Sequence, residues 1–264
     1  MYRKLFQIIA FVLLATVVVS CGNSDKKRAA QRLSMAESLC QQGDTSTALA
    51  HLDSIRKLYP SAIQLVVAAD QQKKKIYSEI VFRKQNELDT VQALIAKVEQ
   101  KFDAEKTEFD RYTRYIHKRQ NFDRRWNKSF IQFYLDETGN LYMSSNYYGD
   151  QWLEHTGIRV YDNDIQAKTE TVDLDNPNNH RSDFMDFVWE KVTYRNGMDN
   201  GVIQFIADHP DRKLKAVFLG KRLFFIWLED YDKQAARDAL LFSSLLKKKR
   251  ALEQEIKSLQ SKIG

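Results

Sequence analysis

From Tyr77 onward, apolar residues return on a heptad spacing: Tyr77, Val81, Leu88, Val91, Ile95, Val98, Phe102, Phe109, Tyr112 and Ile116. Lys84 and Glu105 are the polar seam positions. Spacing sustained in this way predicts a coiled-coil seam, which is narrower than the stripe of a core-facing helix. No glycine or proline falls between Pro60 and Gly139, so one long helix is expected over 61–128. The C-terminal segment 231–264 repeats the pattern at Phe242, Leu245, Leu252, Ile256, Leu259 and Ile263, with Lys249 as its polar exception. The two segments are expected to pair antiparallel, residues near 120 opposite residues near 232. That register sets Lys247–Arg250 against Glu99, Asp103, Glu105 and Glu108, and Glu253 and Glu255 near Lys97 and Lys101, and complementary flanking charge of this kind specifies partner and orientation. Pairing between two chains is the alternative. A paired arm of about 33 residues would rise roughly 50 Å.

Between the helical segments, residues 129–230 change period. The runs FIQFYLD, NLYMSSNYY, GIRVYD, IQAKTETVDL, FVWEKVTYR, GVIQFIAD, KLKAVFLG and RLFFIWLED are short and rich in β-branched and aromatic residues. Turn residues separate them, among them Thr138-Gly139-Asn140, Asn196-Gly197 and Asn200-Gly201. This predicts an antiparallel β-sandwich or barrel. Leu219-Gly220-Lys221-Arg222 fits a two-residue type II′ hairpin with Gly220 first in the turn. The expected fold class is therefore α+β: an N-terminal helical hairpin and a long antiparallel coiled-coil stalk, with the β domain inserted between its arms.

The hairpin is read in residues 29–60. Ala29, Leu33, Ala36, Leu39 and Cys40 mark one helix, Gly43-Asp44 a break, and Ala48, Leu49, Leu52, Ile55 and Leu58 a second helix closed by Pro60. Asp44 is a suitable N-cap. The stretch resembles one tetratricopeptide-type repeat: Met35, Ala36 and Leu39 fall on its first-helix positions, and Ala48, Leu52, Ile55 and Pro60 on its second. Arg32 replaces the usual aromatic. One repeat cannot bury its own face and needs a neighbour. An ordinary αα-hairpin would read almost the same.

At the N-terminus, Arg3 and Lys4 precede an apolar run, Leu5 to Val19, broken only by Gln7 and Thr16. That is the length of a signal-peptide core and shorter than the roughly 20 residues that span a bilayer. Val18-Val19-Ser20-Cys21 resembles the lipobox of bacterial lipoproteins. The resemblance implies a signal over 1–20, cleavage before Cys21, and a diacylglyceryl group on its thiol, with the new amine also acylated. Residues 21–28 would be the lipidated linker. Several acyl chains anchor stably where one is marginal. Gly22 after the cysteine, rather than an aspartate, implies outer-membrane sorting. The absence of an acidic cluster before Lys26-Lys27-Arg28 implies a face toward the periplasm.

The formal charge of +6 falls to +4 once Arg3 and Lys4 leave with the signal. A basic chain ordinarily raises nucleic acid as a partner, but an exported, anchored one is expected to meet anionic headgroups or cell-wall polymers instead. Lipidation of Cys21 leaves Cys40 alone, so no internal disulfide is expected. The five histidines, His51, His117, His155, His180 and His209, form no metal-binding motif. No glycine-rich phosphate loop or Gly-x-Ser-x-Gly elbow occurs. DLDNPNNHRSD begins like a calcium loop, but Pro177 occupies a ligand position, so a solvated loop is expected. No cofactor or metal is therefore expected.

One stretch carries possible binding chemistry. NYYGDQWLEH, residues 146–155, sets Tyr147, Tyr148 and Trp152 among Asn, Asp and Gln around Gly149. Aromatic faces beside amides suit sugar binding, by stacking and fixed hydrogen bonds. The alternative is that these rings form the edge of the β core, where Trp189 and Trp227 are also expected. The sequence thus points to a non-enzymatic envelope lipoprotein, its β domain held for a protein partner or, alternatively, for glycan or peptidoglycan through Tyr147, Tyr148 and Trp152.

Overall fold

The computed structural model describes residues 24–121 and 127–264. The signal segment 1–20 and Cys21 lie outside the described residues. No helix among the described residues is long and apolar enough to cross a membrane. The fold is α+β, and the chain forms two compact units, Met1–Asn86 with Gln254–Gly264, and Glu87–Glu253.

In the first unit, a helix over 24–41 (α1) is followed by α2 (Thr45–Leu58) and the start of α3 (Ile63–Glu99). The chain turns at Gly43, whose φ of +83° is a left-handed value that glycine adopts without Cβ strain. Asp44 then caps α2, accepting the Thr47 amide at 3.0 Å. Ala29, Ala36, Ala48, Leu52, Ile55, Ala62, Ala69 and Ile76 form the buried core of this unit. The hairpin's apolar face is thus closed by α3, with alanines allowing close helix approach. Cys40 is half-buried against the same cluster. Arg32, in place of the repeat's aromatic, donates to Ser54 Oγ at 3.0 Å and ties α1 to α2. Lys73–Asp53 and Arg56–Asp70 pairs tie α2 to α3. At the other end of this unit's α3 segment, Lys84 Nζ meets Glu255 Oε2 at 3.0 Å, and Lys262 lies over the Tyr77 ring.

The second unit departs from expectation at its first element. The helix ends at Glu99, and residues 102–117 hold two strands, β1 (Phe102–Glu105) and β2 (Arg114–His117). The heptad count carried through Phe102, Phe109, Tyr112 and Ile116 was coincidence. Phe109 is 89% exposed in a turn closed by Thr107 and Asp110, while Phe102 and Ile116 point inward from strands. Heptad positions up to Val98 do follow a less exposed face, with Leu88, Val91 and Val98 buried. The charge register differs too: Glu87 Oε1 meets Lys248 at 2.8 Å, and Lys101 meets Asp238 at 2.8 Å. With Lys84–Glu255, these pairs run antiparallel, about two heptads from the expected alignment. Because the helix ends at Glu99, three of the four acidic residues expected opposite Lys247–Arg250, namely Asp103, Glu105 and Glu108, lie outside it.

Beyond a short 3-10 turn at Lys118–Gln120 come β3 (Phe130–Asp136), β4 (Leu141–Gly149), β5 (Gly157–Asp162), β6 (Ile165–Lys168), β7 (Asn179–Phe184) and β8 (Phe187–Tyr194). Helix α4 (Val202–Asp208), β9 (Lys215–Leu219), β10 (Leu223–Trp227) and α5 (Asp230–Gln260) complete the chain. All pairings are antiparallel, in one sheet ordered β1-β2-β3-β4-β8-β7 and another ordered β10-β9-β5-β6. β7 occupies the tail of the loop expected to be solvated. α4 replaces the expected strand GVIQFIAD: its buried residues Val202, Ile203, Ile206 and Ala207 follow helical spacing, after left-handed Asn200 and Gly201.

The β9–β10 connection holds Gly220, Lys221 and Arg222, since Leu219 pairs with Leu223. Gly220 lacks the positive φ that a type II′ turn requires. Its need for glycine is spatial, because a Cβ there would lie 2.3 Å from the Leu153 carbonyl oxygen. α5 packs by Phe242, wholly buried, whose ring meets Phe102 and Tyr115 at centroid distances of 5.0 Å each. Ser243 Oγ donates to the Gly139 carbonyl at 2.6 Å, fixing the β3–β4 hairpin to the helix.

Candidate functional site

The three rings expected to form a sugar platform do not face one way. Tyr147 and Tyr148 are consecutive in β4, and alternation sends them to opposite faces. Tyr147 is buried edge-on to Phe224 at 5.0 Å, and its hydroxyl donates to the Gln151 carbonyl at 3.0 Å. Gly149 makes room for it, since a Cβ there would meet the Tyr147 hydroxyl. Tyr148 stacks on Phe187 at 5.1 Å and stands edge-on to Trp189 at 5.7 Å. Trp152, 37% exposed, sits apart in the following loop.

Of the three, Tyr148 alone lines a recess of about 460 Å³, which also takes in Phe224, Ile226 and Trp227 of β10 and Tyr231 of α5. Lys128, Ser129, Glu229 and Asp232 supply its polar wall. Ser129 Oγ accepts the Tyr148 amide at 3.0 Å, and Asp232 is held by the Glu229 amide at 3.1 Å and by Gln120 at 3.1 Å. Trp227, expected in the core, is 58% exposed. Strand alternation again explains it: Leu223, Phe225 and Trp227 share the outward face of β10, an edge strand among the described residues. Lys215 on β9 extends its ammonium over the Phe225 ring at 3.5 Å.

A second constellation has the arrangement of a hydrolytic triad. Ser145 Oγ lies 2.9 Å from His155 Nε2, and His155 Nδ1 lies 2.7 Å from Glu190 Oε2. A nucleophile, base and orienting carboxylate are related in this way in serine hydrolases. Here, however, all three residues have 0% exposure, and the Tyr194 hydroxyl stands 3.0 Å from Ser145 Oγ. A carbonyl substrate has no route to that oxygen. The Glu190 carboxylate also accepts the backbone amides of Leu153 at 2.6 Å, Glu154 at 2.8 Å and His155 at 2.9 Å. Burial alone would raise its pKa. The His155 ring and these amides outweigh that and hold it below the usual glutamate value. The network fastens the loop 153–155, in which Glu154 has a left-handed φ of +51°, to β4 and β8. No sequence signal pointed to it, because Ser145, His155 and Glu190 share no motif: β4–β8 pairing brings Ser145 and Glu190 near each other, and the loop after β4 delivers His155 between them.

Among the described residues, no group of histidine, cysteine and carboxylate side chains is placed to hold a metal ion. No protein-family model, curated protein or solved structure matches the chain.

Proposed function

We propose that this chain is a lipid-anchored, non-enzymatic protein of the bacterial cell envelope that offers its β-sheet unit to a protein partner. Acyl chains on Cys21 would provide the anchor, on the periplasmic face of the outer membrane. The observation that carries the binding reading is the outward face of β10, where Leu223, Phe225 and Trp227 are 77%, 48% and 58% exposed. Contiguous exposed apolar side chains mark interaction sites, and an edge strand can add a partner's strand. Burial of Ser145, His155 and Glu190 favours a non-enzymatic reading. The heptads of α3 and α5, with the Lys84–Glu255 and Glu87–Lys248 pairs, favour the coiled coil as a structural spacer.

A photo-crosslinking residue at Phe225 in intact cells tests the binding reading. The expected result is a discrete protein adduct, lost when Leu223→Lys is added. Absence of any adduct from positions 223, 225 and 227 refutes it. Mass spectrometry of the N-terminal peptide tests the anchor, and a free thiol on Cys21 refutes that part.

The recess around Tyr148, Trp227 and Tyr231 favours glycan or peptidoglycan as a second reading, with aromatic walls beside Lys128 and Glu229. Trp227→Ala would then abolish cell-wall pull-down while leaving the fold intact. Unchanged pull-down removes this reading.

A further inference from the structure

A second recess in the β-sheet unit, of about 580 Å³, is walled by the 210–213 turn, the 3-10 turn after β2 and the first turns of α5. Five cationic side chains line it, Arg119, Arg212, Lys213, Lys233 and Arg237, against two carboxylates, Asp211 and Asp230. We propose that this recess binds a phosphate group carried on a larger molecule.

The cations differ in their engagement. Lys233 is buried and structural: its ammonium donates to the carbonyls of Pro210 at 2.5 Å and Arg212 at 3.1 Å, and pairs with Asp230 at 2.9 Å. It clamps the 210–213 turn to the helix and so fixes one wall. Arg212 leans on Asp162 at 3.3 Å. The other three have no carboxylate partner among the described residues. Arg237 makes one hydrogen bond, to Gln234 Oε1 at 2.9 Å, and among the described residues the side chains of Arg119 and Lys213 show no hydrogen-bond or ion-pair partner.

Three cations without an ion pair among the described residues line one concave wall from three separate elements, and they outnumber Asp211, the carboxylate there that Lys233 does not engage. Like charges brought together repel unless an anion joins them. Two of the three are guanidinium groups, whose fork of N–H donors matches phosphate oxygens in pairs. The recess is far larger than one phosphate ion, so the group is expected to arrive as a sugar phosphate or a phospholipid headgroup. The site lies outside the Tyr148–Trp227 recess and stands independently of the partner proposed for β10.

Isothermal titration of the purified full-length chain with inorganic phosphate, glucose 1-phosphate and dihexanoyl phosphatidic acid below its micellar concentration tests the proposal. Tighter binding of glucose 1-phosphate identifies a saccharide source, and tighter binding of the phosphatidic acid a lipid one. Equal binding of all three overturns the proposal that the phosphate arrives on a larger molecule. With either source, Arg119→Gln with Arg237→Gln should weaken binding at least about tenfold. Both residues are exposed, so the fold is retained. A control pair outside the recess, Lys168→Gln with Arg181→Gln, should leave binding unchanged. No binding of any probe, or equal weakening by the control pair, overturns the proposal.

Discussion

Replacing Glu190 by glutamine isolates the buried network with almost no change in shape. The carboxylate accepts four N–H groups, three from the backbone and one from the His155 ring. Glutamine keeps one acceptor oxygen and places an amide where the other oxygen stood. If that oxygen serves the Leu153 and Glu154 amides, the new NH₂ faces the two donors of His155. The imidazole can answer by changing tautomer, but the His155 backbone amide stays unpaired and buried. An unsatisfied buried donor costs about 1–3 kcal/mol, and the remaining bonds lose their charge assistance, which roughly halves them. The expected loss is about 3 kcal/mol, or on the order of 10 °C in Tm for a chain of this size.

Urea unfolding followed by circular dichroism at pH 7 and at lower pH measures it. The Glu190 pKa is depressed in the folded state. Its contribution is therefore present above the unfolded glutamate pKa and is lost as pH falls through the folded value. The gap between wild type and Glu190→Gln should close toward acid. A loss under about 0.5 kcal/mol at pH 7, or a gap that stays constant on acidification, refutes the structural role given to this network.

Phe242→Ala empties the space between Phe102 and Tyr115 and should cost about 3–5 kcal/mol by chemical denaturation. Gly220→Ala drives a methyl group into the Leu153 carbonyl, and thermal unfolding should show a loss of about 1–3 kcal/mol; a Tm within a degree of wild type would contradict the close approach. The Lys84–Glu255 pair is partly exposed, so a double-mutant cycle should return under about 1 kcal/mol of coupling. A cycle between Lys97 and Glu255, neighbours in the register expected from the heptads, should return none.

Where an element declares its period over several turns, the sequence was enough to find it. The α1–α2 hairpin, its break at Gly43-Asp44 and the strands β3, β4, β5, β8, β9 and β10 all lie where apolar spacing and turn residues put them. These signals are local: a capping carboxylate or an alternating strand carries its own physics. The heptad face of α3 was legible for the same reason, but its end was not. Nothing between Pro60 and Gly139 breaks a helix by composition. The chain leaves the helix at Glu99 because Phe102 and His117 can pair as strand residues under Phe242, a gain visible only with α5 in place.

β7 and α4 were hidden for the opposite reasons. NHRSDF lacks an apolar pattern and is a strand because β8 offers it an edge, whereas VIQFIAD is rich in β-branched residues and becomes helical because its buried side chains need one face. Local propensity amounts to tenths of a kcal/mol per residue, so tertiary burial overrides it. The candidate sites belong wholly to that second level. Tyr147 and Tyr148 were legible as aromatic, but only pairing of β4 decided that one faces the core and the other the recess. Ser145 with His155 and Glu190, and Arg119 with Lys213 and Arg237, are brought together across long stretches of chain, and distance in sequence carries no trace of such meetings.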